Sequence, residues 1–161
     1  MKTSFIEYSL NFSSAHTENQ QTPFQELEYP DCLSEFACGN VVIFENDEEG
    51  KFIYLENIEL PAFFFHFAFA IQKLKENTTK VAAVSSIYQT YDLILELDNN
   101  TLILTSIVAN NEKNITLNFE TLEKHLKNMQ ISLFEDLKIA YSNLVKLPDF
   151  LEMEKDFNPF V

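Results

Sequence analysis

The residue types best suited to metal binding or nucleophilic catalysis are few in this chain, with 3 histidines and 2 cysteines. They are His16, His66, His125, Cys32 and Cys38. A zinc site requires two or more His or Cys ligands at a recognisable spacing. The two cysteines have no second pair close by, and His125 lies on a different predicted element. We therefore predict no metal site and no cofactor.

A cysteine–histidine pair is the remaining candidate nucleophile, with Cys32 or Cys38 beside His16 or His66. No local motif supports such a pair, and Cys38 leads directly into a predicted strand, where a small cysteine commonly fills a core. Glycine-rich phosphate loops are excluded because the chain has only 2 glycines. The sequence therefore indicates a protein that is not an enzyme and whose cysteines are free thiols.

The acidic run at residues 45–50, Glu-Asn-Asp-Glu-Glu-Gly, contains oxygen ligands of the kind that calcium prefers. It lacks the alternating acidic positions of a calcium loop and the distal glutamate that completes one. Runs rich in β-branched and aromatic residues lie on both sides of it, as in an antiparallel hairpin. We interpret the run as a solvated hairpin tip.

The charge of the chain is strongly negative, at −14, because 25 acidic residues face 11 basic ones, all of them lysine. Residues 1–60 alone contain 12 acidic residues and 2 lysines. Such a field repels nucleic-acid phosphates and anionic lipids, and it attracts cationic surfaces from a distance. We expect a basic protein as partner, with no nucleic acid and no membrane. The alternative is a solvated acidic face with no partner.

The apolar patterns predict an α+β domain with an antiparallel sheet of about five to seven strands, built from a β-hairpin and a β-meander. Strands are predicted at residues 4–12, 36–44, 51–60, 80–89, 91–98, 101–109 and 114–119. Between hairpin and meander, residues 61–76 are rich in phenylalanine and apolar on most sides. They predict a helix that is buried on most sides.

The last third of the chain has a helical period, with apolar residues at steps of three or four between residues 120 and 146. Residues 132–135 match a capping box, so we predict two C-terminal helices, near 120–130 and 133–146, packed on the sheet. One continuous helix is the alternative. Residues 13–35 have no period and predict a long acidic loop, and residues 148–161 predict a C-terminal tail. The whole chain, 1–161, is expected to form one domain.

Cellular location is predicted from the absence of targeting signals. The N-terminal segment has no apolar core of the kind found in secretory signals, and the longest apolar run, residues 60–71, is too short to span a bilayer. We expect a cytoplasmic protein.

The chain as a whole resembles the immunity proteins of bacterial polymorphic toxin and contact-dependent growth inhibition systems. The resemblance is one of organisation: an acidic strand, loop and hairpin (4–60), the helix that begins Pro-Ala-Phe-Phe-Phe at residue 61, a meander, and C-terminal helices. It implies a single domain that binds a cognate toxin domain, often a basic nuclease, and occludes its active or substrate-binding surface. It also implies that the chain has no catalysis of its own.

In such a complex, acidic residues of the first third would accept hydrogen bonds from lysines and arginines of the toxin, with a tyrosine as aromatic anchor. The predicted partner-binding residues are Glu26, Glu28, Tyr29, Asp31, Glu35, Asp47, Glu48 and Glu49. Two other functions stay open. One is a phage-type inhibitor that mimics nucleic acid; the other is a ligand-binding or enzymatic domain with a pocket at the Phe-rich helix.

Overall fold

The computed structural model describes residues 5–21, 37–45 and 50–157, which form seven strands and four α-helices. The strands are β1 (Ile6–Leu10), β2 (Cys38–Phe44), β3 (Phe52–Glu59), β4 (Val81–Ser85), β5 (Asp92–Asp98), β6 (Thr101–Val108) and β7 (Asn111–Asn118). The helices are α1 (Phe12–Gln21), α2 (Leu60–Lys75), α3 (Phe119–Ala140) and α4 (Pro148–Phe157), with a 3-10 helix at Leu144–Lys146. The predicted α+β class is confirmed.

The strands form two antiparallel sheets, one in the order β1-β2-β3 and one in the order β4-β5-β6-β7. The prediction of one sheet of five to seven strands is therefore only loosely matched. β3 and β7 lie next to each other but belong to different sheets. At the edge of β7, the backbone N–H of Thr116 donates to the Glu45 carboxylate at 2.7 Å. A side chain thus serves as the acceptor that a neighbouring strand would supply in a continuous sheet.

Helix α2 lies at the centre of the molecule. Pro61 suits its first turn, where the missing backbone N–H costs nothing, and lysines in its last turn interact favourably with the helix dipole. Phe63, Phe64 and Phe67 are completely buried. The helix packs against β2, β3, β4 and α3, so the predicted burial on most sides is what the structure has.

Helix α3 is one continuous helix of 22 residues, so the prediction of two helices near 120–130 and 133–146 is wrong. The side chain of Asn118 accepts from the Thr121 backbone N–H at 3.0 Å, which places the N-cap at residue 118. The apolar stripe continues past residue 132 through Leu133 and Leu137, both completely buried. Burial of the continuous apolar stripe stabilises one long helix more than a second N-cap at Ser132 would stabilise two short ones.

Helix α1 occupies the start of the loop predicted at residues 13–35, so the prediction is wrong for residues 13–21. The Asn11 side chain accepts from the Ser14 backbone N–H at 3.1 Å and caps this helix. Only Ala15 is buried, which explains the missing apolar period. Contacts with the C-terminal region hold the helix, since the Asn143 backbone N–H donates to the Asn19 side chain at 3.1 Å. Residues 22–36 lie outside the described residues.

The C-terminal tail predicted at residues 148–161 is helical as far as residue 157, because α4 begins at Pro148. Phe150 and Met153 are completely buried, and the rings of Phe134 and Phe150 lie 5.7 Å apart. Pro148 ends the preceding segment and also begins the next helix, a position where proline is common. Helix α4 is therefore part of the core.

Three polar groups join α1, the start of β2 and the end of α3. The Tyr141 hydroxyl donates to the Glu18 carboxylate at 2.9 Å and accepts from the Ala37 backbone N–H at 3.0 Å. The same carboxylate oxygen accepts from that N–H at 3.1 Å. Burial, followed by the charge of Glu18, raises the pKa of the Tyr141 hydroxyl, so it stays a neutral donor at physiological pH.

The Tyr141→Phe variant should unfold with a free energy about 2 kcal/mol lower than the wild type, because the buried Tyr141 hydroxyl loses its hydrogen bond to the half-buried Glu18 carboxylate. Urea unfolding followed by circular dichroism measures this change. Tyr88→Phe is the matched control, since Tyr88 is 59% exposed. Equal stabilities of the two variants would contradict a stabilising role for these bonds.

Gly39 belongs to the pairing of β1 with β2, where it has no room for a side chain. A Cβ atom at this position would lie 2.1 Å from the carbonyl oxygen of Ser9 and 2.8 Å from Cδ1 of Leu60. The backbone of β1 cannot retreat without breaking its pairing with β2, in which Gly39 is opposite Leu10. Space therefore requires glycine here.

The Gly39→Ala variant should lose about 3 kcal/mol of unfolding free energy because the new methyl group overpacks the strand pair. Gly50→Ala is the control, because an added Cβ there meets no described atom within 4 Å. Thermal and urea denaturation measure the loss of unfolding free energy in each of the two variants. A Gly39→Ala protein as stable as the Gly50→Ala protein would show that the strands are less closely packed than described.

Candidate functional site

The eight predicted partner-binding residues all lie outside the described residues. They are Glu26, Glu28, Tyr29, Asp31, Glu35, Asp47, Glu48 and Glu49. Their role as partner-binding residues stays a prediction.

Two acidic residues of the first third have structural roles. Glu18 accepts from Tyr141 and Ala37, as described above. Glu45 accepts from the Thr116 backbone and forms an ion pair with Lys51 at 3.6 Å. These carboxylates hold elements of the fold together, so the acidity of the first third is not devoted to recognition alone.

The four-stranded sheet has one covered face and one open face. The covered face carries fully buried side chains such as Leu93, Leu95, Leu102 and Leu104, with α2 packed against β4 and α3 against β7. We call the opposite face the outer face. The pairing register places these residues on it, all exposed or half-buried: Val81, Ala83, Ser85, Asp92, Ile94, Glu96, Asp98, Thr101, Ile103, Thr105, Ile107, Glu112, Asn114, Thr116 and Asn118.

All the charged groups of the outer face are carboxylates, and they belong to Asp92, Glu96, Asp98 and Glu112. Three of them follow one another along β5. The Ser85 hydroxyl donates to Asp92 at 2.6 Å. In the part of the chain that the structure describes, none of the four carboxylates is in an ion pair. Their negative potential is therefore not neutralised by a neighbouring side chain.

The lysines of the described ranges lie away from the outer face. Six of them are on helices: Lys73, Lys75, Lys124, Lys127, Lys138 and Lys155. Lys113 belongs to β7, but its register partner is the buried Ser106 of the covered face, and its Nζ lies 4.4 Å from the centre of the Phe52 ring. The described lysines are thus kept off the outer face, whereas the helices carry charges of both signs.

The outer face also carries large aliphatic side chains. Val81 is 50% exposed and Ile103 is 40% exposed, while Ile94 and Ile107 are half-buried. The open face of an antiparallel sheet usually carries polar residues at such positions. The outer face therefore combines uncompensated negative charge with apolar area, and such a combination suits protein binding.

The sequence contained a signal for this surface that our interpretation did not use. In Asp-Leu-Ile-Leu-Glu-Leu-Asp at β5, acidic residues occupy three of the four alternate positions of one face. The alternation predicts a strand, and it also places the carboxylates of Asp92, Glu96 and Asp98 on the same face of that strand. The position of Glu112 beside these carboxylates also depends on how β6 and β7 pair, and that register is known only from the structure.

The thiol of Cys38 is poorly suited to nucleophilic catalysis. Cys38 is half-buried at the start of β2, opposite Glu59 of β3. Burial, then the charges of Glu59 and Glu18, raise the pKa of its thiol. Since the thiolate is the reactive form, this environment reduces its reactivity at neutral pH. Cys32 lies outside the described residues.

Two of the histidines have other partners within the fold. The backbone N–H of Phe5 donates to Nδ1 of His125 at 2.7 Å, and Nε2 of His16 lies 3.2 Å from the side-chain nitrogen of Gln20. His66 is half-buried on α2, where burial lowers its pKa. In residues 5–21, 37–45 and 50–157, no three His, Cys, Asp or Glu side chains are placed to hold a metal ion.

Three of the phenylalanines of α2 pack against one another, whereas Phe69 is 53% exposed. The ring of Phe63 lies 5.2 Å from that of Phe64 and 5.4 Å from that of Phe67, centre to centre, and the ring of Tyr91 is 6.1 Å away. These side chains fill the core. No helix among the described residues is long and apolar enough to cross a bilayer.

Comparison with known proteins finds no family model, no curated protein and no solved structure that matches the chain. The outer face and the charge of the chain are therefore the features that bear on function.

The Cys38 thiol should react slowly. In a Cys32→Ser variant, we expect the folded protein to react with an aromatic disulfide reagent about tenfold more slowly than the urea-unfolded chain, because a raised thiol pKa lowers the thiolate fraction. Stopped-flow absorbance measures both rates, and the unfolded chain is the control. A faster reaction in the folded state would instead identify an activated cysteine.

Proposed function

We propose that this chain is an immunity protein, which binds a cognate basic toxin domain and occludes its active or substrate-binding surface. The charge of the outer face carries the proposal: its four carboxylates have no ion pair among the described residues, and no described lysine shares that face with them. A net charge of −14 adds long-range attraction for a basic partner. The chain acts by binding and has no catalysis of its own.

A phage-type mimic of nucleic acid is the second candidate, and the same carboxylates along β5 favour it. Such a mimic needs rows of negative charge that replace successive phosphates. On the outer face, Ile94 separates Glu96 from Asp92 along β5, and Ile103 lies beside Glu96 on β6. Aliphatic groups between the charges suit a protein surface with apolar and basic residues better than a groove shaped for a sugar–phosphate backbone. We therefore place the toxin domain first.

A small-ligand or enzymatic domain is the third candidate, and nothing in the described residues favours it. The phenylalanines of α2 that would line a pocket, Phe63, Phe64 and Phe67, are completely buried against one another. The Cys38 thiol has a raised pKa.

Capture from the native cell tests the proposed function directly. A tagged chain should retain a basic protein at low salt and release most of it at high salt, because steering charges are screened. The gene of the captured protein is then expressed alone and together with this chain. Growth arrest that co-expression relieves is the expected result. A captured protein whose expression is harmless, or a bound small molecule without a protein partner, would contradict the proposal.

Replacing Asp47, Glu48 and Glu49 together by lysine should slow association with the captured toxin about tenfold at low salt and flatten the salt dependence. Stopped-flow fluorescence measures the association rate. The control replaces Glu76, Glu120 and Glu152, which are exposed and belong to helices or a helix end, and so changes the net charge equally. An association rate equal to that of the control would remove residues 47–49 from the interface.

A further inference from the structure

The outer face of the four-stranded sheet carries large aliphatic side chains but has no helix packed on it among the described residues. Helices α2 and α3 cover only the opposite face. A sheet face with large aliphatic side chains is normally packed against another layer. Ile94, Ile103 and Ile107 form such an apolar strip on neighbouring strands, with the register pairs Glu96–Ile103 and Asp92–Ile107 beside it. Ile103 and Ile107 of β6 therefore lie beside Glu96 and Asp92 of β5, and Ile94 lies between these two carboxylates.

The geometry of the charges indicates what shape of partner fits. Asp92, Glu96 and Asp98 follow one another on the same face of β5. Six residues of a strand span about 20 Å. An α-helix of about 14 residues has the same length. A helix lying along β5 and β6 would place basic residues on one edge over these carboxylates and apolar residues on the other edge over Ile103 and Ile107.

A second copy of the chain does not fit the outer face. In a two-fold symmetric dimer the same surface occurs on both sides. Asp92, Glu96, Asp98 and Glu112 would face identical carboxylates, with no lysine on the face to neutralise them. Juxtaposed like charges are unfavourable. The occupant is therefore a different molecule with positive charge.

We infer that the outer face is a docking surface for a cationic amphipathic helix of a partner protein. This inference rests on the proposed function for the identity of the natural partner, but not for the chemistry of the surface. Binding has two separable parts. The carboxylates of β5 and of Glu112 supply a salt-dependent part, and the aliphatic strip supplies a part that salt does not weaken.

A synthetic helical peptide of leucine and lysine, with lysines along one side, is the probe, and a scrambled peptide of identical composition is its control. Amide chemical shifts of the wild-type chain, followed by NMR during titration, locate the binding site. We expect changes confined to β4, β5, β6 and β7 with the amphipathic peptide and much weaker binding of the scrambled one. Changes centred on the helices, or equal binding of both peptides, would overturn the inference.

Two kinds of variant separate the two parts of binding. Glu96→Lys with Glu112→Lys should weaken peptide binding about tenfold at low salt and reduce its salt dependence. Glu76→Lys with Glu152→Lys changes the net charge equally at helical positions and should have little effect. Ile103→Ser should weaken binding without altering the salt dependence. Circular dichroism and melting temperature confirm that each variant is folded.

The same variants distinguish failure of this inference from failure of the proposed function. If the Glu96→Lys, Glu112→Lys protein still neutralises the captured toxin at the wild-type rate, the outer face is not the docking surface, and the proposed function stands. If the peptide binds the outer face but no toxin is found, the docking surface stands and its natural partner belongs to another class.

Discussion

The burial of helix α2 is the constraint on which the rest of the structure depends. With Phe63, Phe64 and Phe67 completely buried, this helix is covered on most sides, and its exposed residues are Phe69 and polar residues of the last two turns. A helix that is apolar on most sides must be covered on most sides. Strands of both sheets and helix α3 meet this requirement. This packing also determines which surfaces remain open. Helices α2 and α3 both lie against the covered face of the four-stranded sheet, and none of the described helices packs on the outer face.

Much of the fold was predictable from local patterns. The alternation at β5 and β6 and the aromatic content of α2 gave elements close to those observed, since their patterns reflect the faces that they bury. Helix α1 could not be predicted in this way, because it buries only Ala15 and depends on Asn19 and Glu18 reaching residues more than a hundred positions away. The division into two sheets likewise has no local signal, since β3 and β7, with the Glu45–Thr116 hydrogen bond beside them, come from distant parts of the chain.

The candidate site was less predictable than the fold. Counting charges along the chain directed attention to the first third, yet Glu18 and Glu45 there bond to other parts of the fold. The outer face is built from residues that are spread over positions 81–118 and become neighbours only through strand register. A linear count does not distinguish a carboxylate that caps a backbone amide from one that faces solvent. Hydrogen bonding and register make that distinction.

The contact between Glu45 and the backbone of Thr116 has a consequence for the behaviour of the protein in solution. The free N–H groups of an edge strand can pair with a strand of another molecule and start aggregation. At β7 one of these groups is already occupied by a carboxylate of the same chain. One glutamate, itself ion-paired with Lys51, thus keeps part of the β7 edge from pairing with another strand.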